Sequence, residues 1–173
     1  MYSDRRLILI MITFLALAVL QAAYFYPKLP DKIATHYGTD GASDNFSDKK
    51  TALIINIALI SLMSAIFYGL SWLMKKVPDN LINIPNKAFW LSPENKPLMM
   101  KIISAFGIRI GIVTELFLLM LFQHIYSMNL SESRLNNRNF WIGLLAYFAI
   151  IGLLVWQVYQ FFQSKQRVNR FQK

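Results

Sequence analysis

Four long apolar runs dominate this chain, and any fold it adopts has to find a place for all of them. Leu7 to Tyr26 (LILIMITFLALAVLQAAYFY) contains no charge. A second run extends from about Thr51 to Met74 with Asn56 as its only strongly polar member, and a fourth from about Phe140 to Phe162. About 20 apolar residues in a helix cross roughly 30 Å of hydrocarbon, so each run is long enough to span. Trp141 at one end of the fourth run, and Trp156, Tyr159, Phe161 and Phe162 toward the other, resemble interfacial aromatic belts. A soluble bundle would have too little polar surface to cover four such blocks, because 55% of the 173 residues are hydrophobic. The expected fold is a single-domain, all-α integral membrane protein. Its four transmembrane helices fall at about 7–26, 51–74, 101–126 and 140–162, with long loops at 27–50 and 75–100.

Arg5 and Arg6 precede the first run as the basic flank of a signal peptide would. The run exceeds a typical signal h-region, and Gln21-Ala22-Ala23 is only the nearest approach to a cleavage site, so the helix is expected to be retained. Cysteine is absent, which excludes disulfides and thiolate metal sites.

The net charge of +9 is placed for lipid rather than nucleic acid: basic residues flank the apolar blocks and do not line a face with stacking aromatics. Suppose the N-terminus is cytoplasmic. Arg5, Arg6, Lys75, Lys76, Lys87, Lys96, Lys101, Lys165, Arg167, Arg170 and Lys173 then lie inside, eleven in all. Six lie outside, namely Lys28, Lys32, Lys49, Lys50, Arg134 and Arg138. That bias places both termini in the cytoplasm by the positive-inside rule.

The third run, KIISAFGIRIGIVTELFLLMLFQHIY, carries Arg109, Glu115, Gln123 and His124. Ionisable groups at membrane depth are costly and usually face the bundle interior. Arg109 and Glu115 are six residues apart, about 120° around the axis at 100° per residue, so they are not an i,i+4 pair. Each is expected to meet a different helix, with Gln21, Asn56 or Tyr147 as candidate neighbours. Glu115 shares a face with Ser104, Ile108, Phe122 and Tyr126. Two readings stand side by side: an ion, proton or ligand site, and polar glue between helices.

The first loop reads PKLPDKIATHYGTDGASDNFSDKK. Pro27 and Pro30 stop the first helix and favour extended backbone before them, Gly38 and Gly41 permit tight turns, and Ser47-Asp48 is placed to cap the second helix. His36, Asp40 and Asp44 form a candidate ligand or partner site. The acid spacing does not fit the calcium-loop template and the loop holds no second histidine for zinc. Turn-forming acids and a histidine that holds the loop's shape are therefore the favoured reading, with His124 as a possible second imidazole.

This loop also carries a resemblance. Leu29, Pro30, Ile33, Thr35, His36, Tyr37, Gly41, Asp44 and Lys49 resemble the signature of an uncharacterised bacterial membrane domain, domain of unknown function 1648. That domain also forms the N-terminus of SdpI-type immunity proteins. In the second long loop, Asn83, Pro85, Asn86, Lys87, Trp90, Pro93 and Glu94 resemble a stretch of its stand-alone members. The likeness covers the first two helices and both loops, and the last two helices only by hydropathy. It implies a small bacterial inner-membrane protein. SdpI-type proteins carry a further membrane region, so immunity transfers only as an expectation.

Phe89-Trp90-Leu91, among Pro and Asn residues, suits a segment lying in the interface, with Asn86, Lys87, Trp90 and Glu94 as its contact residues. The lysines of this loop would favour anionic lipid. No nucleophile elbow, phosphate loop, HExxH or heptad register occurs. The expected function is non-enzymatic binding or regulation, without cofactor or resident metal. The expected partners are the bilayer and a toxin or other membrane protein, not nucleic acid. A small transporter using Arg109 and Glu115, and an accessory subunit of a larger membrane complex, are the alternatives.

Overall fold

A computed structural model describes residues 4–37, 43–130 and 138–164. Its elements in chain order are α1 (Asp4–Phe25), β1 (Lys32–Tyr37), β2 (Ser43–Asp48), α2 (Lys49–Leu73), two 3₁₀ turns (Met74–Lys76 and Asp79–Leu81), the single turn α3 (Lys87–Trp90), α4 (Lys96–Leu130) and α5 (Arg138–Gln163). The helices α1, α2, α4 and α5 are each long and apolar enough to cross a membrane. Many of their outward side chains are large and apolar, among them Leu20, Ile55, Leu145 and Leu153. In water such a surface would aggregate, whereas lipid tails solvate it. The chain is a multi-pass membrane protein.

The longest helix, α4, is the hub against which α1, α2 and α5 pack. Its 35 residues make it about 52 Å long, well beyond the hydrocarbon thickness. It therefore starts before and ends after the expected 101–126 and supports structure beyond the bilayer at both ends. The face expected from sequence is the buried one: Ser104, Ile108, Glu115, Phe122 and Tyr126 all lie inside.

Helices α2 and α4 approach closely along small residues. A Cβ added at Gly111 would lie 2.8 Å from the Phe67 Cβ, and one at Gly107 would lie 2.7 Å from the Ser71 Oγ. The two glycines stand four apart, the small-xxx-small spacing that lets membrane helices meet backbone to backbone. At one end of the bundle Leu7, Met11, Ala105 and Ile108 pack together. At the other, Phe25, Ile33, Leu53, Phe122 and Tyr126 form the larger core.

The first loop is more ordered than turn chemistry alone suggests. It forms an antiparallel hairpin, with Lys32 opposite Asp48, Ile33 opposite Ser47 and Ala34 opposite Phe46. The register shifts between Ala34 and His36, leaving Thr35 as an extra residue on β1, a bulge that re-aims the strand. Lys49 closes the stem: its backbone N–H donates to the Asp31 carbonyl (2.9 Å), and its Nζ reaches the Leu29 carbonyl (3.1 Å) and the Asp31 carboxylate (3.1 Å). Asp48 caps α2 as expected, accepting the Thr51 N–H at 3.1 Å. Of the loop residues singled out from sequence, Gly38, Asp40 and Gly41 lie outside the described residues, as do Arg134 and the basic tail from Lys165. Asp44 is placed by its backbone on β2.

The second long loop corrects an expectation. Trp90 is not turned outward to contact lipid; it is 0% exposed and packed among Ile82, Met99, Ile102 and Phe162. Its indole N–H donates to the Phe162 carbonyl (2.8 Å), and Asn86 Nδ2 donates to the same carbonyl (3.1 Å) and to that of Gln163 (3.0 Å). The last carbonyls of a helix lack intrahelical donors, and here two side chains of the loop supply them. Asn86 holds a left-handed backbone (φ 54°) to do so, a conformation that asparagine tolerates better than most residues. Lys87 Nζ reaches the Asn80 carbonyl (3.2 Å), Lys96 pairs with Asp79 (2.8 Å), and Glu94 is exposed.

Candidate functional site

Among the described residues, the sequence-predicted polar side chains are found at the docked hairpin, at the far end of the α4–α5 seam, in the middle of the α2–α4 interface and in the second long loop.

The hairpin sits over the ends of α2 and α4. Ile33 and Ala34 are buried beneath it, and Asn129, on the last turn of α4, holds β1 by its backbone. Asn129 Oδ1 accepts the Ala34 N–H at 2.7 Å, and Nδ2 donates to the Ala34 carbonyl at 3.0 Å. A side-chain amide thus takes the place of a neighbouring strand. Under the hairpin lies a cleft of about 450 Å³ whose walls include Thr35, Asn45, Ser47, Asn56 and Phe122. Asn56 donates to the Tyr126 hydroxyl (2.8 Å) at its floor. His36, Asn45 and Phe46 are exposed, Phe46 by 56%, and the last two also line the cleft. Replacing Asn129 by leucine removes both bonds to Ala34, worth about 1–3 kcal/mol together. Amides of residues 32–48 are then expected to exchange at least tenfold faster with deuterated solvent, while the helix cores keep their protection. Unchanged exchange would show that the amide does not hold the strand.

His124 does not serve the hairpin. Its ring stacks on Phe140 of α5, with centroids 6.2 Å apart. Gln123, His124, Ser127 and Asn139 line a groove of about 380 Å³ between α4 and α5, and His124 Nε2 is buried there without a hydrogen-bond partner. Among the described residues, no three His, Asp or Glu side chains gather into a group that could hold a metal ion.

Glu115 is 0% exposed, midway along α4. One carboxyl oxygen, Oε1, is hydrogen-bonded to the Ser64 hydroxyl of α2, while Oε2 is buried without a partner. Arg109 is half-buried and forms no ion pair with Glu115. Its turn lies beside Leu7 and Met11, through Ile108, a depth from which a long cationic side chain can bring its head to the interface. The neighbours expected for these two residues are engaged elsewhere. Gln21 donates to the Leu119 carbonyl (3.1 Å) and Gln123 Oε1 (3.0 Å), Asn56 bonds Tyr126, and Tyr147 meets Thr114 (3.2 Å). Sequence reasoning missed Ser64 and Asn129. A serine in an apolar helix also satisfies itself by bonding the carbonyl four residues back, as Ser61, Ser64 and Ser71 all do, Ser64 with Ile60 at 3.0 Å.

The sequence of residues 11–60 matches the domain of unknown function DUF1648. The chain carries a DUF1648 domain. No curated protein and no solved structure matches the chain. The DUF1648 segment runs from Met11, two turns into α1, through the whole hairpin to Ile60, halfway along α2. It contains His36, Lys49 and the capping Asp48, so the hairpin is its centrepiece. Arg109, Glu115, His124, Asn129 and Trp90 all lie beyond it. The part of α4 that clamps the hairpin is thus supplied from outside the DUF1648 segment.

Proposed function

We propose that this is a small bacterial inner-membrane protein with a non-enzymatic binding or regulatory role, whose hairpin end faces out of the cytoplasm and recognises a partner. Protection against a membrane-active toxin is the most concrete form of that role. The observation that carries the reading is the docking of the hairpin: a short, bulged pair of strands, fixed by its backbone to α4, exposes His36, Asn45 and Phe46, the last two on the wall of a cleft. A mere connector between two helices needs no such fixing. The likeness of Leu29 to Lys49 to the N-terminal domain of SdpI-type immunity proteins supports the toxin form. Transport by Arg109 and Glu115 acting together is the weaker reading, because the two groups form no pair and lie at different depths.

Two results test this. Because the chain has no cysteine, a single Ser43→Cys can be labelled without background. A membrane-impermeant maleimide is expected to label it in intact cells, and labelling only after permeabilisation would reverse the orientation. Deleting the gene is expected to sensitise cells at least tenfold to a specific membrane-active toxin, with Phe46→Asp failing to restore resistance. Indifference to every toxin tested would remove the protective role.

A further inference from the structure

Glu115 raises a question that the hairpin does not answer. A buried carboxyl with one oxygen unpartnered is expensive in a bilayer, and helix packing alone gives no reason to keep it. Its one partner, Ser64, has a second exposure. Ser64 also lines a cleft of about 340 Å³ between α1 and α2, with Ser61 and Tyr68 on the same wall and Ile8, Met11 and Leu15 opposite. Ile12 and Tyr68, at its rim, face outward from the bundle, so the cleft opens sideways toward lipid rather than toward water. Its make-up is an apolar slot with hydroxyls along one side and a carboxyl one hydroxyl behind them.

The geometry points to a binding site for a membrane-dissolved amine, with the nitrogen against Ser64 and the apolar body between α1 and α2. An N–H of such a ligand can donate to the Ser64 oxygen while the Ser64 hydroxyl is bonded to Glu115, so the carboxyl acts on the ligand through one side chain. The arrangement balances electrically in either form. An ammonium at Ser64 is balanced by a carboxylate one hydroxyl behind it, and a free amine reaches the same state when Glu115 hands its proton to the Ser64 oxygen as the Ser64 hydroxyl hands its own to the amine. Attraction between those charges strengthens as the surroundings become less polar. Among the described residues, no positive side chain, Arg109 included, pairs with Glu115. This inference does not rest on the hairpin reading.

Dodecylamine is a suitable probe, with dodecanol as its uncharged counterpart. Binding is measured on the full chain in phosphatidylcholine nanodiscs, which carry no net charge of their own. Wild-type protein is expected to bind dodecylamine saturably, with dodecanol at least tenfold weaker. Glu115→Gln is expected to weaken amine binding at least tenfold, and Ala65→Trp, which adds a ring at the cleft wall and leaves the carboxyl in place, to do the same. Equal binding by wild type and both variants would mean simple partition into lipid and would overturn the site. Loss in Ala65→Trp with retention in Glu115→Gln would overturn the role of the carboxyl. Should Glu115→Gln not fold, the dodecanol comparison and Ala65→Trp still decide, since equal binding of alcohol and amine refutes it.

Discussion

Trp90→Ala is expected to destabilise the protein by about 3–5 kcal/mol, the range for deleting a large buried aromatic. The ring touches Phe89, Phe161 and Phe162, with centroids 5.2, 5.3 and 5.2 Å away, and lies in a core with Ile82, Met99 and Ile102. No small rearrangement refills that space, because Asn86 and Lys96 pin the loop on either side. The hydrogen bond itself is a smaller matter. The Phe162 carbonyl accepts both Trp90 Nε1 and Asn86 Nδ2, so Trp90→Phe leaves it one donor and is expected to cost only about 0.5–1.5 kcal/mol beyond the volume lost. Combining Trp90→Phe with Asn86→Leu removes both donors and is expected to exceed the sum of the single changes. Unfolding in mixed micelles, followed by circular dichroism, checks all three. A loss below about 1 kcal/mol for Trp90→Ala would mean that the loop only rests on the bundle.

That result bears on what a sequence of this kind discloses. The four spans were legible because twenty apolar residues in a row have few other places to go. The cap on α2 was legible because Asp48 directly precedes an apolar run. Trp90 was misread because an interfacial tryptophan and a buried one have the same sequence surroundings, a polar loop beside a span. Only the meeting of that loop with the end of α5, 72 residues later, separates them. The hairpin was hidden for a related reason. SDNFSD is poor in strand-forming residues, and the bulge at Thr35 breaks the alternation of KIATHY. Tertiary fasteners, Lys49 at the stem and Asn129 at the strand, hold the backbone where propensity does not.

The candidate sites divide along the same line. His36 was placed on a structured loop, and the second imidazole that His124 could have supplied is turned to Phe140 instead. Glu115 was expected to face inward, and it does; its serine partner could not be singled out among the hydroxyl residues of α2. In each case the residue type was visible and its neighbour was not. The Gly-x-x-x-Gly spacing of Gly107 and Gly111 is the exception, a signal present in the sequence that names its own kind of neighbour.

Gly111→Ala should therefore damage the protein out of proportion to one methyl group. The added Cβ would meet Phe67 at 2.8 Å from its Cβ and 3.1 Å from its Cγ, and the first of these atoms is fixed to the α2 backbone and cannot rotate away. Either α2 moves off or Phe67 leaves its rotamer, and overpacking of this sort costs about 1–3 kcal/mol. The displacement would also part Ser64 from Glu115, one turn further along the same seam, so the damage should reach the buried carboxyl. Gly69 and Gly152 provide the internal control. Nothing lies within 4 Å of a Cβ at either position, and alanine there relieves the helix of a glycine, for an expected gain of up to about 1 kcal/mol. One substitution at three helical glycines should thus give opposite signs. A double change, Gly111→Ala with Phe67→Gly, should cost less than the sum of its parts by about 0.5–3 kcal/mol, since removing the Phe67 Cβ together with its ring makes room for the methyl. Strict additivity, or the same small effect at all three glycines, would show that α2 and α4 do not meet along this line.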